Sequence, residues 1–414
     1  MAGPRDGPGG AARRGRIPEE RLWQVGFLVG SVLGAAITVA GRQVERSARA
    51  AGLVDWRQVE NTAVARLRNA PGTLTVAELR AVDAEYAAAM AKVVPALSEH
   101  LGTSLPGVVD RVAVVDRGEW VRANITAFET LIGKLEGQLL EQMLPEGAGL
   151  GKATMTFANR WVTTRQLGLL LGFMGQRVLG QYDLALLSAE TTPGRLLFVE
   201  ENIRQTAKAL DVPIGPFRTW IALHETTHAF EFEAHPWLRP YLAQRLERQI
   251  SMFSQDASTL GKDAVRAIGS ALRGDGRRDD QHWMERLMSV EQRKLFRETQ
   301  AIMSLLEGFG DHVMDEVGKT LVPGVERISA RFHARKVNRT AFERAMLRIT
   351  GMDLKMEQYR KGEVFVAEIE RLAGAAALRR LWDGPETLPL PEEIEVPERW
   401  VRRMGLNQVE GGVS

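Results

Sequence analysis

The chain has no cysteine. That removes disulfides, thiol nucleophiles and thiolate zinc sites together, so any metal must be held by His, Asp or Glu. It also fits a reducing compartment. An excess of one charge sign is missing too. The 54 Lys and Arg oppose 52 Asp and Glu, for a formal net charge of +2 mixed along the chain. No basic stripe of the kind a nucleic acid requires is left. No repeat of fixed period is present, and strand-like runs are few. Histidine is scarce, with seven residues. The rest is ordinary: 414 residues, 44% hydrophobic and 26% charged, enough for a large core and, by length alone, for two or three domains.

Two of the scarce histidines stand in one motif, His224-Glu225-Thr226-Thr227-His228, inside a long apolar run. Histidines four apart on a helix lie one turn above each other, so both imidazoles can reach one metal ion. The glutamate beside the first is placed to take a proton from water activated by that metal. The flanking residues Phe217, Trp220, Ile221, Ala222, Leu223, Ala229, Phe230 and Phe232 are apolar nearly all round, the mark of a central helix. Two histidines and a carboxylate cost several kcal/mol to bury there without partners, and a divalent cation is such a partner. The plainer reading is two structural histidines bonded to backbone carbonyls.

Catalytic zinc usually takes three protein ligands plus water. His235 is the nearest third candidate, but its spacing is one residue longer than the H-E-x-x-H-x-x-G-x-x-H arrangement, and Glu231 stands where that arrangement needs glycine. Glu231 lies nearly one turn beyond His228 and is a further candidate. Glu307 is the better one. It precedes Asp311 by four residues, so the two share a helix face. In an E-x-x-x-D arrangement the glutamate binds zinc and the aspartate accepts a hydrogen bond from a ligand imidazole, fixing its orientation. Gly308 and Gly310 weaken a helix, and close approach to the motif helix would account for them. The competing reading is a solvated acidic stripe, which Asp315 continues.

Elsewhere the pattern is mainly helical. A Thr cap in Thr73–Glu78 leads into a helix up to Met90. Val112 to Val115 reads as a strand closed by a turn at Asp116-Arg117-Gly118, and Trp120 to Met143 as a helix. Leu167 to Leu187 carries spaced glycines and reads as one buried helix. Leu196 to Glu200 reads as a strand, and Phe217 to Phe232 as the motif helix behind Pro213 and Pro216. Further helices are expected from Tyr241, over Glu285–Met288, Glu291–Gly318 and Thr340–Ile349, with an extended proline-rich stretch from Pro385 to Pro397. The class is mainly α with a small β-sheet.

At the N-terminus, residues 1–21 form a disordered tail and residues 22–50 a glycine-rich apolar helix. Gly26, Gly30 and Gly34 recur every fourth residue there, a spacing that lets helix backbones approach closely. Residues 22–41 are about as long as a bilayer span and offer a membrane contact. The other reading is a buried glycine-lined helix. No persuasive cleavage site marks a secretory signal.

An ordered set of longer stretches carries a resemblance. They are Val115-Asp-Arg-Gly-Glu-Trp-Val-Arg-Ala-Asn124, Arg177-Val-Leu-Gly-Gln-Tyr-Asp183, Leu197-Phe-Val-Glu-Glu-Asn202, the motif helix with Pro236-Trp-Leu-Arg239, Leu305-Leu-Glu-Gly308 with Val313-Met-Asp315, and Lys355-Met-Glu-Gln-Tyr-Arg-Lys-Gly362. Across roughly residues 52–403 the chain resembles the zincin-like metallopeptidase family of actinobacteria and relatives. Members are labelled as hydrolases or as associated with deazaflavin-coenzyme biosynthesis. The resemblance implies a zincin-like metallopeptidase core and the same metal residues, but no substrate. Phe309 departs from the pattern, where histidine is frequent, and so does Glu231, where glutamine is usual.

The expected protein is thus a cytoplasmic zinc hydrolase of gluzincin type acting on a peptide or protein, with no nucleic-acid partner. His224, His228 and Glu307 hold Zn²⁺, Glu225 is the general base, and Asp311 orients a ligand histidine. The metallopeptidase domain spans residues 51–403, and residues 404–414 form a flexible tail. His312, His333 and Tyr359 are candidates for steadying the oxyanion, each more readily structural. Two other readings stand beside this one. The first is a catalytically silent zinc-binding or membrane-linked scaffold. The second is a carboxylate-bridged di-iron protein using Glu225-x-x-His228, for which only Asp279-x-x-His282 offers a near-matching second pair.

Overall fold

Leu196-Leu-Phe-Val199 is apolar at every position, and so short a run buries both faces only in the middle of a sheet. It lies there in the computed structural model, which describes residues 52–143, 151–182, 194–249, 251–252, 288–335 and 352–406. Strands β1 (Val112–Val115), β2 (Gly180–Tyr182) and β3 (Leu196–Val199) are ordered β1-β3-β2. β1 runs parallel to β3, with Val112 opposite Leu196. β2 runs antiparallel, with Gly180 opposite Phe198, and forms an edge of this sheet. Two-residue alternation divides β3. Leu196 and Phe198 enter the main core, and Leu197 and Val199 enter a smaller core on the other face.

The smaller core is roofed by α1 (Trp56–Leu67), α4 (Arg117–Met143) and α5 (Gly151–Gly175). The spaced glycines of α5 serve a close crossing: a Cβ on Gly168 would lie 2.6 Å from Thr62 Cβ, and one on Gly172 would lie 3.0 Å from the Ala63 carbonyl of α1. α2 (Val76–Arg80) leads into α3 (Asp83–Leu101). The main core gathers α3, α6 (Glu200–Leu210), α7 (Ile214–Glu233), a helix α8 over 238–249, α9 (Val290–Leu321), α10 (Val325–Arg335) and α11 (Met352–Ala373). Short helices α12 (Ala375–Arg380), α13 (Pro391–Glu395) and α14 (Pro397–Arg403) close the chain. The fold is mainly α with a small sheet, as expected.

Several elements differ from the sequence reading. The Thr cap is Thr75, which forms a capping box with Glu78, but α2 stops at Arg80 and α3 restarts at Asp83 and runs to Leu101. The turn expected at residues 116–118 is already the first turn of α4. The helix expected over 167–187 ends at Gly175, and residues 180–182 form β2 instead. The cause is distant. Asn202 Nδ2 donates to the carbonyls of Gly175 and Val178 at 2.8 and 2.7 Å, so the last turn finds its partner outside the helix. Pro385–Pro397 is not extended either. It holds a 3₁₀ turn at Pro385–Thr387 and two helices that each start on a proline, a residue pre-set for a first helical turn.

The N-terminal tail, the 22–50 segment with its proposed membrane contact, the 340–349 helix, the Asp279/His282 pair and most of residues 404–414 lie outside the described residues. Among the described residues no helix is long and apolar enough to cross a membrane.

Candidate metal centre

α7 sits at the middle of the molecule because almost every face of it is apolar. Phe217, Ile221, Ala222, Leu223, Ala229 and Phe230 are all buried. Pro213 caps its start, and Pro236 turns the chain away just past its end, since the residue before a proline disfavours helical geometry. His224 and His228 rise one above the other, with ring centroids 4.6 Å apart. α9 crosses beside them and brings in Glu307. The ligand atoms of His224, His228 and Glu307 all lie within 4.8 Å of one another.

Nε2 of His228 is 3.8 Å from Oε2 of Glu307, too far for a hydrogen bond and close enough to share an ion. Tetrahedral ligands at about 2.0–2.1 Å from one zinc stand about 3.3 Å apart, so the cluster has that size or a little more. Two imidazoles and a carboxylate also match the donor set of a catalytic zinc that keeps an open position. The donors present fit the ion.

What holds α9 in place is a glycine crossing. A Cβ on Gly308 would fall within the Gly362–Glu363 backbone of α11, and one on Gly362 would fall onto the Ser304 carbonyl. Only hydrogen on both sides permits this approach, which seats Glu307 one residue from the contact. Gly308 thus faces α11 and not the motif helix expected from the sequence, whereas a Cβ on Gly310 would lie 3.4 Å from His228 Cε1 of that helix.

Glu225 points sideways to β2. Its Oε2 accepts the Tyr182 N–H at 3.0 Å, and Glu225 is 8% exposed. A Cβ on Gly180 would lie 2.6 Å from Glu225 Cγ and 2.8 Å from its Oε1, so the strand leaves this carboxylate its place only because residue 180 is glycine. β2 is pinned from both ends. Gln181 Oε1 accepts from Trp120 Nε1 at 2.7 Å and from Asn124 Nδ2 at 3.2 Å. The Tyr182 hydroxyl donates to Glu233 at 2.8 Å and accepts from Arg239 at 3.1 Å. Burial, then Glu233, pushes the Tyr182 phenol up to about 12. Three of the quoted sequence stretches therefore meet at one strand.

The Glu200-Glu201-Asn202 run is a buried hub and lies outside the metal cluster. Glu200 accepts from Tyr86 and from the Arg218 guanidinium of α7, Glu201 from the backbone of Leu74 and Arg117, and Asn202 from Arg117 Nε.

Among the other candidates, His235 is turned from the cluster. Its Nδ1 contacts the Glu231 carbonyl at 2.7 Å, and its ring stacks on Trp382 at 4.9 Å. Burial lowers its pKa. His312 pairs with Glu370 at 3.2 Å. Asp311 is half-buried one turn beyond Glu307. The side chains of His333 and Tyr359 lie outside the described residues. Nδ1 of His224 meets Met314 Sδ at 3.0 Å. Glu231, weighed only as a lesser candidate in the sequence, contacts the site directly, with Oε2 2.7 Å from His228 Nδ1. The signal was a charged residue within an apolar helix, three positions after a histidine.

Burial opposes a charge on His228, but Glu231, then Glu307 and Glu225, outweigh it and hold the imidazole up at about 9. Burial likewise keeps Glu231 up at about 7, against the pull of His228. In the metal-free protein the raised imidazole stabilises the fold fully below 6.5, its ordinary value, and that contribution is lost as pH climbs through about 9. Proton and metal compete for this ring. Zinc affinity is therefore expected to rise from pH 6 toward 9, by roughly tenfold per unit at most, and then to level. Calorimetry in buffers of different ionisation enthalpy counts the displaced proton, and a flat affinity across that range would contradict the assignment.

A helical fold on a small sheet, with two imidazoles and a distant carboxylate at one point, offers the donor set of a metal-dependent hydrolase. The chain belongs to the zincin-like metallopeptidase family, whose model matches residues 54–401. This is the family that the quoted stretches resemble. Among solved structures it is similar to a protein from Chloroflexus aurantiacus described as a candidate hydrolase with a novel fold. The two share 34% identity over 85% of this chain and 99% of the other, with a TM-score of 0.62. No curated protein matches the chain at a significant level.

Proposed function

We propose that the protein is a zinc-dependent hydrolase of gluzincin type that cleaves peptide or amide bonds. The observation that carries this is the convergence of His224, His228 and Glu307 within 4.8 Å, beside a glutamate held by the edge strand. His224, His228 and Glu307 would hold the ion. Bound there, Zn²⁺ supplies Lewis acidity toward a scissile carbonyl and makes water a better nucleophile near neutral pH.

Glu225 is the general base. It accepts a proton from the attacking water and delivers it to the leaving amine. The Tyr182 N–H bonds one carboxylate oxygen and fixes the orientation of the group. Family membership and the hydrolase description of the Chloroflexus protein support the reading. Asp311, one turn beyond Glu307 on the same helix, is assigned to steadying a ligand imidazole.

Glu307→Ala is expected to lower zinc affinity by about 100-fold or more, since a ligand is lost where replacing an outer partner alone costs 10–100-fold. Metal content after dialysis against a chelator measures it. Unchanged stoichiometry would remove Glu307 from the ligand set. Zinc bound without cleavage of any peptide in a broad screen would favour the catalytically silent scaffold instead.

A further inference from the structure

We propose that Glu231 is a positioning residue for the metal site, acting through His228; the inference rests on the zinc reading above. An imidazole has two nitrogens and can offer only one lone pair to an ion while the other carries its proton. In His228 the division is set by geometry. Nδ1 lies 2.7 Å from Glu231 Oε2, and Nε2 faces Glu307. With Nδ1–H donating to Glu231, Nε2 is left with its lone pair directed at the cluster. The carboxylate cannot be a ligand in the same set, because it bonds the far side of the ring from Nε2, and it is absent from the group of converging ligand atoms.

Glu231 is itself held rigidly. It stands three residues after His228 on the same helix, and its side chain is 0% exposed. Its backbone carbonyl accepts from His235, whose ring stacks on Trp382. Trp382 in turn meets Phe309 edge-on at 5.0 Å, two residues past Glu307. The orienting carboxylate is therefore tied to both helices that carry ligands.

A second observation gives the role its sign. Oε1 of Glu231 is buried and has no hydrogen-bond partner among the described residues. A buried carboxylate with an unfilled oxygen destabilises the metal-free fold. A cation on the other side of the imidazole compensates that charge. A glutamate serving only the fold would lower stability when replaced. Replacing this one is expected to weaken the metal-bound protein by more than the metal-free one.

The test uses the full chain, with zinc alone as probe. In Glu231→Gln the amide oxygen still accepts from Nδ1–H but the charge is gone, and zinc affinity is expected to fall about tenfold. In Glu231→Ala both are gone, and the fall approaches 100-fold. The melting temperature of metal-free Glu231→Gln should fall by less than that of the zinc-loaded variant. In zinc-loaded, nitrogen-15-labelled protein the Nδ1–H resonance of His228 should be sharp and far downfield in the parent, and lost in Glu231→Ala. Zinc affinity within twofold of the parent in both variants, or a drop in metal-free stability that accounts for the whole loss in Glu231→Gln, would overturn the positioning role alone. A parent that binds no zinc, or a His224→Ala variant that binds it equally well, would overturn the metal reading and this inference with it.

Discussion

Glu225→Gln protein is expected to bind zinc as the parent does and to lose about 10²–10⁴-fold in turnover, the range a general base contributes. The amide keeps the shape of the carboxylate and can still accept the Tyr182 N–H, so fold and metal content should be untouched while the proton acceptor is gone. Hydrolysis of a mixed-sequence peptide library, read by mass spectrometry beside zinc analysis of the same sample, separates the two quantities. Turnover at the parent rate would exclude Glu225 as the base. Gly180→Ala approaches the same defect from the strand: its Cβ would press on Glu225 Cγ from 2.6 Å. The carboxylate or the strand must shift, so activity should fall with zinc retained.

The second large effect is on the fold around the ligands. Gly308→Ala is expected to destabilise the protein by about 3 kcal/mol or more, the upper end for overpacking, because the added methyl meets backbone that no rotamer change can move aside. α9 and α11 must separate, and Glu307 moves with them. Zinc affinity should therefore fall along with the melting temperature. Gly318→Ala on the same helix is the control. Its Cβ would meet Val325 Cγ2 at 3.1 Å, the end of a side chain, and alanine gains roughly 1 kcal/mol of helix propensity over glycine. Equal melting temperatures for the parent and Gly308→Ala would mean that the crossing tolerates a wider spacing and does not seat Glu307.

The parts legible in the sequence were those whose cause is local. His224 and His228 announce a shared ligand through their spacing alone, and the apolar surroundings of α7 announce its central place. Glu307, which converges with them within 4.8 Å, stands out by the same local logic, as one of two carboxylates four residues apart with glycines between them. The parts missed have distant causes. α5 ends at Gly175, whose carbonyl accepts from Asn202 on another element, so β2 was hidden within an expected helix, and with it the strand that holds Glu225. Gly308 was noticed, but its partner Gly362 lies on a helix that no short-range pattern connects to it. Glu231 stands in the sequence as a further ligand candidate, yet nothing in a linear pattern tells which nitrogen of His228 it touches. The proline-rich end was misjudged for a different reason. Proline there begins short helices, and extension was inferred from composition alone.

The parallel pairing of β1 with β3 joins segments far apart in the chain, and the carboxylate opposite the two imidazoles arrives later still, on α9. During synthesis the ribosome releases α7 well before Glu307 exists. Until α9 docks through its glycine contact with α11, the nascent polypeptide presents only a two-nitrogen chelate, too poor to capture an ion firmly. The three-donor cluster is thus completed only late in assembly, so a chain shortened before α11 lacks the contact that seats its third donor.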